Sequence, residues 1–323
     1  MNQDELQNTV LCGDALEMLK RLPDEYVQMC VTSPPYYGLR DYGAEGQIGC
    51  EQTPLEYIDR LTEIFREVRR VLKSNGTLWL NIADSYAGSG KGVWSKSLAE
   101  RPKSKQTYHS LNTDENAALP KKWDGIKEKD MIGIPWQLAF ALRADGWYLR
   151  SDIIWQKPNC LPEAVKDRPT KSYEQIFLLS KSPHYYYDTA AISEPVAPVT
   201  VERNKRAVSD RTKYAKGVGG AKPQALFLPR SHSDMPTKRN KRDVWSVSTN
   251  SHRGYGHFAM YPERLIEPCI LAGSPEQGLV LDPFLGSGTT GAAARQLDRH
   301  YIGIEINAEY CALARARIGG TDT

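Results

Sequence analysis

Leu281-Asp282-Pro283-Phe284-Leu285-Gly286-Ser287-Gly288-Thr289-Thr290 is the stretch on which the fold turns. The apolar run Leu279-Val280-Leu281 reads as a buried strand, Asp282 to Thr290 as a glycine-rich turn, and Gly291 to Leu297 as a helix. A strand from Tyr301 to Glu305 and a helix from Ala308 to Ile318 follow, so two parallel βα units close the chain. Gly286 and Gly288 let the backbone approach a ligand closely, and Glu305, ending the next strand, is placed to accept both hydroxyls of a ribose. This is the pattern of a nucleoside-cofactor site. A dinucleotide site wants G-x-G-x-x-G, and Gly291 can be forced into the third position, but the leading Asp-Pro-Phe argues against it. A carboxylate so near the loop would also repel a pyrophosphate.

Toward the amino terminus, the apolar run Tyr26 to Thr32 reads as a strand that ends abruptly at Ser33-Pro34-Pro35-Tyr36, where two prolines forbid its continuation. A sheet strand thereby delivers a rigid loop. Its residues suit chemistry on an exocyclic amino group, which is a poor nucleophile because its lone pair is delocalised into the ring. Acceptors that hold the amino hydrogens pull the nitrogen toward a tetrahedral shape and aim the lone pair at a methyl donor. Ser33 Oγ and the Pro34 carbonyl supply such acceptors, and Tyr36 offers a ring on which an extruded base can stack.

Other elements connect these two motifs. Gly13 to Leu19 reads as a turn into a short helix, and Pro54 to Lys73 carries one apolar face from Leu55 to Leu72. Asn75-Gly76 stops that helix before the strand Thr77 to Ile82. A helix from Pro135 to Ala144 and a strand from Tyr148 to Trp155 come next. Glu174 to Ser180 is then expected to pair with Tyr185 to Tyr187 as a hairpin. Residues 85–130 lose all periodicity and read as a mobile or ligand-ordered loop. A second irregular stretch, about 195–243, concentrates Arg203, Lys205, Arg206, Arg211, Lys213, Lys238, Arg239, Lys241 and Arg242 against few acids. Solvated linker and phosphate contact both explain such a run.

Taken together, Ser33 to Tyr36 and Asp282 to Thr290 resemble the hallmarks of the amino-group DNA methyltransferases, [DNS]-P-P-[YF] and D-P-F-x-G-x-G. The order, catalytic motif first and cofactor motif last, resembles the β group of that family. The resemblance implies an α/β, Rossmann-like S-adenosylmethionine-dependent methyltransferase fold: a mixed seven-stranded sheet with a reversed final hairpin and circularly permuted motif order. It implies S-adenosylmethionine as cofactor, double-stranded DNA as partner and base flipping. The catalytic group would be Ser33, Pro34, Pro35 and Tyr36. The cofactor group would be Asp14, Asp282, Pro283, Phe284, Gly286, Ser287, Gly288, Thr289, Thr290 and Glu305, with Asp14 near the adenine ring. The implied organisation is a catalytic half over 1–194, a basic target-recognition region over 195–245 carrying the nine basic residues above, and a cofactor half over 246–323 that completes the same domain. Asp84 would end the strand beside the catalytic one, and residues 257–272 would form the helix over the methionine end of the cofactor. In the family, serine before Pro-Pro goes mostly with cytosine N4 and aspartate with adenine N6, so cytosine N4 is favoured and adenine N6 is the alternative. A homodimer and a separately acting cognate restriction endonuclease are also expectations of the resemblance.

Composition bounds these readings. The 323 residues are 40% hydrophobic and 25% charged, ordinary for a globular protein, and the net charge of +3 is too small to argue for a polyanion by itself. Six cysteines without a C-x-x-C pair and six histidines without ligand spacing give no metal or disulfide framework, and the expected compartment is the reducing cytoplasm. No secretory or membrane segment is expected. Ala87 to Gly92 resembles a phosphate loop only superficially, because Ser85 and Gly92 occupy the Walker positions that need Gly and Ser or Thr. Cys269 falls within an apolar helical pattern and reads as core rather than as a nucleophile. Three rivals stand beside the main reading: a methyltransferase acting on RNA or a protein amide, a dinucleotide-dependent oxidoreductase, and a non-catalytic DNA-binding protein.

Overall fold

The strand β2 (Val27–Thr32) is buried at every residue, which requires neighbours on both edges and layers on both faces. The computed structural model, describing residues 6–38, 46–87, 125–160, 162–202, 237–249 and 261–319, supplies them. Contacts divide the chain into two units, residues 1–188 with 243–323, and residues 189–242. In the first unit β2 pairs in parallel with β3 (Leu72–Ile82) on one side and with β9 (Leu279–Asp282) on the other. The sheet continues through β10 (His300–Glu305) to β1 (Thr9–Cys12), so the two ends of the chain meet in one sheet. Beyond β3, β5 (Tyr173–Ser180) runs antiparallel between β3 and β4 (Tyr148–Gln156). That is the reversed hairpin. A three-residue strand, β8 (Val244–Ser246), adds in parallel to β4, making eight strands where seven were expected.

Helices cover both faces. α1 (Ala15–Leu19), α2 (Pro54–Val71) and α3 (Ile134–Ala144) pack in a row against Leu78, Leu80, Phe177, Leu281 and Ile304. α5 (Thr289–Gln296) packs between α4 (Glu263–Gly273) and α6 (Ala308–Gly319), and α4 lies so close to the other face that a Cβ on Gly273 would meet Met29 and Trp79. Among the described residues no helix is long and apolar enough to cross a membrane.

Two local expectations are corrected. The helix read as running to Lys73 ends at Val71, because Leu72 is already extended (φ −69°, ψ 139°) and begins β3, with a register irregularity against β2 before Thr77. Tyr185 to Tyr187 do not pair with β5. Both edges of β5 are taken by β3 and β4, so the tyrosines pack elsewhere: Tyr186 N–H donates to the Asn75 carbonyl, and the Tyr187 ring stacks on Trp79 at 6.2 Å. The ends of the aperiodic stretch 85–130 are ordered, with Tyr86 bridging Met131 and the Ala87 and Lys129 amides exchanging backbone bonds with this segment; residues 88–124 lie outside the described residues.

The start of α2 shows how the local sequence sets an element. Thr53 accepts the Glu56 amide at 3.2 Å while the Glu56 carboxylate takes the Thr53 amide at 3.1 Å, and Pro54 occupies the first turn. Thr53→Ala is expected to lower stability by about 1 kcal/mol, read as a shift of the urea midpoint with an unchanged slope.

In the second unit, β6 (Glu194–Pro195) pairs antiparallel with β7 (Lys238–Arg239). The basic residues there do meet an acid: Arg239, Lys241 and Arg242 all lie within 3.4–3.7 Å of the Glu194 carboxylate. Arg203, Lys205, Arg206, Arg211 and Lys213 lie outside the described residues.

Candidate active site

Parallel strands with helices on both faces leave a crevice at their carboxyl edge, where the strand order reverses. Here that point lies between β9 and β2. The carboxyl ends of β1, β2, β3, β4, β9 and β10 share the edge with the amino end of β5, which arrives there only because β5 is reversed. A cavity of about 720 Å³ opens at this edge, and both sequence motifs line it.

One wall is the glycine turn. Gly286 and Gly288 have φ of +56° and +89°, and a side chain on Gly288 would press on Ala314 and Ile318 of α6. Asp14, Pro283, Phe284, Gly286, Ser287, Thr289 and Glu305 all line the cavity. The Glu305 carboxylate accepts the amides of Gly286 and Asn307, both at 2.9 Å. A carboxylate offers about four acceptor sites, so capacity remains toward the cavity. Burial raises the Glu305 pKa, partly opposed by those amides, with the charge of Asp282 adding to the rise. Arg317 braces the wall from behind, reaching Thr289 Oγ1 at 3.0 Å and Glu263 at 2.6 Å.

Asp282, Gly288 and Thr290, expected as direct contacts, do not line the cavity. Asp282 is instead enclosed by protein donors: Thr32 Oγ1 at 2.5 Å and the Phe284 amide at 3.0 Å on one oxygen, Tyr261 Oη at 3.1 Å and Thr290 Oγ1 on the other. This carboxylate ties the residue before the Ser33 loop to the start of the glycine turn. Burial raises its pKa, opposed by its four donors. Asp14 both lines the cavity and caps α1 through the Glu17 amide. Asp84 follows β3 and accepts the Gly133 and Ile134 amides, holding the start of α3.

The opposite wall carries Ser33, Pro34, Pro35 and Tyr36 together with residues that no sequence motif had announced. Glu174 accepts Tyr36 Oη–H at 2.7 Å and Asn81 Nδ2–H at 3.1 Å, and its other oxygen pairs with Lys157 Nζ. The Lys157 ammonium also sits 4.2 Å from the Trp155 ring centre. Ser33 Oγ–H donates to Tyr36 Oη at 3.2 Å. Burial, followed by the Glu174 charge, holds the Tyr36 hydroxyl well above the usual phenol range, so it remains a donor. Lys171 completes the rim, its pKa lowered chiefly by burial.

With this geometry in view, the comparison with known families is decisive: a family model for N6/N4 methyltransferases, described as DNA methylase, matches residues 27–316. The chain belongs to the N6/N4 DNA methylase family. This methylase is 44% identical to the Type II methyltransferase M.SmaI of Serratia marcescens over 309 residues, covering 96% of this chain and 90% of that protein. It is 45% identical to the Type II methyltransferase M.Cfr9I of Citrobacter freundii, covering 98% and 89%. Among solved structures, the PvuII DNA methyltransferase, described as cytosine-N4-specific, superposes with a TM-score of 0.61 at 20% identity, covering 98% of this chain and 88% of that one. The methylase is therefore an S-adenosylmethionine-dependent enzyme acting on DNA, on a Rossmann-like methyltransferase fold.

Proposed function

We propose that this methylase transfers the methyl group to N4 of a cytosine flipped out of duplex DNA. The observation that carries the reading is Ser33 at the tip of β2, across one cavity from the glycine turn and Glu305. The description of the PvuII enzyme as cytosine-N4-specific supports the choice of base.

On this reading the residues divide by wall. Glu305 takes the ribose hydroxyls with its remaining lone pairs, Asp14 lies by the adenine, and Pro283, Phe284, Gly286, Ser287 and Thr289 shape the cleft that holds the cofactor. Asp282, Gly288 and Thr290 support that wall from behind. The acceptor capacity left on Glu305 and the left-handed turn at Gly286 fit a nucleoside rather than a pyrophosphate. When bound, S-adenosylmethionine supplies an electrophilic methyl on a sulfonium sulfur. Ser33 Oγ and the Pro34 carbonyl hold the two amino hydrogens and turn the nitrogen lone pair toward that methyl. Tyr36 presents its ring to the extruded base.

The same reading keeps the three-part organisation, with 1–194 and 246–323 forming one catalytic body and the basic region 195–245 meeting DNA. Lys238, Arg239, Lys241 and Arg242, with Arg203, Lys205, Arg206, Arg211 and Lys213, are assigned to phosphates, where they give affinity rather than sequence choice. The Type II designation of the relatives supports a restriction-modification setting with a separately acting endonuclease, and the enzyme is proposed to work as a homodimer. Incubating unmethylated genomic DNA with enzyme and cofactor, followed by nucleoside mass spectrometry, tests the central claim. N4-methylcytosine is the expected product. N6-methyladenine would overturn the base assignment, and 5-methylcytosine the amino-group mechanism itself.

A further inference from the structure

We propose that Tyr36 and Glu174 are positioning residues that act through Ser33, forming a proton relay from the amino group being methylated to a buried carboxylate. The inference rests on the reading of Ser33 as the amino-group acceptor. Its physical problem is that serine is a neutral hydroxyl, able to donate as well as accept, where an acceptor of anionic character is wanted. The relay resolves this.

Three contacts carry it. Tyr36 Oη lies 2.7 Å from Glu174 Oε2 and 3.3 Å from Asn81 Oδ1, and the shorter contact to an ionised acceptor takes its single proton. With that proton committed, Tyr36 Oη accepts from Ser33 Oγ–H at 3.2 Å. Ser33 has no second proton, so toward the cavity it presents lone pairs only. Asn81 Nδ2–H on Oε2 and Lys157 on Oε1 fix the carboxylate in place, and Asn81 is itself anchored to the Gln175 carbonyl at 3.1 Å. In a chain of this kind each hydrogen bond strengthens the next, so the charge on Glu174 is felt at Ser33 Oγ.

The relay also gives the proton somewhere to go. The bond between the base nitrogen and the methyl carbon forms as the carbon–sulfur bond breaks, the sulfur keeping the electron pair. The surplus proton on the nitrogen passes to Ser33 Oγ, the serine proton to Tyr36 Oη, and the tyrosine proton to Glu174 Oε2. A neutral methylamino group results. Glu174, which lines the cavity beside Lys157, then releases the proton to water.

The test is a double-mutant cycle on single-turnover transfer from tritiated S-adenosylmethionine to unmethylated plasmid DNA, with enzyme in excess. Tyr36→Phe, which keeps the ring, is expected to slow transfer about tenfold, with the cofactor dissociation constant by calorimetry and the DNA dissociation constant changed less than twofold. Glu174→Gln is expected to slow it comparably. Because Glu174 acts only through Tyr36, the double variant should be no slower than the slower single. Multiplying effects would assign the two residues independent roles and overturn the relay, as would a Tyr36→Phe enzyme transferring at the wild-type rate. The second result needs no Glu174 variant, so instability of that variant leaves the test intact. A wild-type enzyme that labels no amino group would overturn the Ser33 reading itself, an outcome distinct from an active wild type with unaffected variants.

Discussion

Replacing Asp282 with alanine is expected to lower the stability of the methylase by about 3 kcal/mol and to abolish methyl transfer in whatever folded protein is left. Its buried carboxylate accepts from the hydroxyls of Thr32, Tyr261 and Thr290 and from the Phe284 amide. Truncation strands at least three of these donors, because only the Tyr261 and Thr290 hydroxyls, 2.5 Å apart, can turn to each other, and hydrogen bonds to an ionised acceptor are the stronger kind. Function falls with stability because the four donors belong to different parts of the site. Thr32 immediately precedes the Ser33 loop, Phe284 belongs to the glycine turn, Thr290 to the first turn of α5, and Tyr261 precedes α4. Asp282→Asn should fall between wild type and alanine, since one amide oxygen serves one pair of donors while its NH₂ must find hydroxyl oxygens in the other. Thr290→Val, which removes one donor, is expected to cost about 1 kcal/mol. Urea unfolding of the three variants checks the order. Asp282→Ala unfolding at the wild-type midpoint would show that the carboxylate merely fills space.

This role for Asp282 marks where sequence reading succeeded and where it stopped. The strand-turn-helix at 279–297 and the strand-loop at 27–36 are contiguous signals, because a turn needing left-handed glycines and a strand ended by two prolines write their geometry into adjacent residues. The union of the two ends of the chain in one sheet also followed, from motif order. What was not legible depends on residues far apart in sequence. Thr32 and Asp282 are 250 positions apart, and nothing local distinguishes an acid that faces a cofactor from one that holds two loops together. Glu174 opens a strand otherwise apolar from Ile176 to Leu179, and taken alone it reads as an exposed strand-end acid. It reaches the cavity because β5 is reversed, which delivers a strand start to an edge made of strand ends. One signal was available: the acids, amides and lysines flanking three successive strands, at Asn81, Lys157 and Glu174, all fall at the same end of the sheet once β4 and β5 are drawn as a hairpin. The tyrosine run at 185–187 misled for the complementary reason. Its β propensity is real, but a strand with both edges occupied has no donor or acceptor to offer it.

Glu305→Gln is expected to weaken S-adenosylmethionine binding by roughly tenfold to a hundredfold, the range for hydrogen bonds made to a charged rather than a neutral acceptor, and to flatten its dependence on pH. The sign follows from burial. The Glu305 carboxyl is pushed above its usual 4.5 by desolvation first, with the Asn307 and Gly286 amides opposing and Asp282 adding. In the cofactor-free protein the folded state therefore holds this proton more tightly than the unfolded chain does. The stability so contributed is fully present below 4.5 and is lost as pH rises through the raised value. Cofactor affinity runs the other way, because only the ionised carboxylate accepts two hydroxyls while keeping both backbone amides. As pH falls from neutrality toward that raised value the dissociation constant of the wild type should climb and binding should release protons, whereas the glutamine variant should show neither effect. Calorimetry in two buffers of different ionisation enthalpy, from pH 7.5 downward, reads affinity and proton release together. Equal pH dependence in the two proteins would move the titrating group away from Glu305. Since a bound ligand stabilises the folded state by an amount set by its concentration over its dissociation constant, the two opposed slopes also predict that saturating cofactor raises the melting temperature least at acid pH, where the empty protein is relieved of the buried charge.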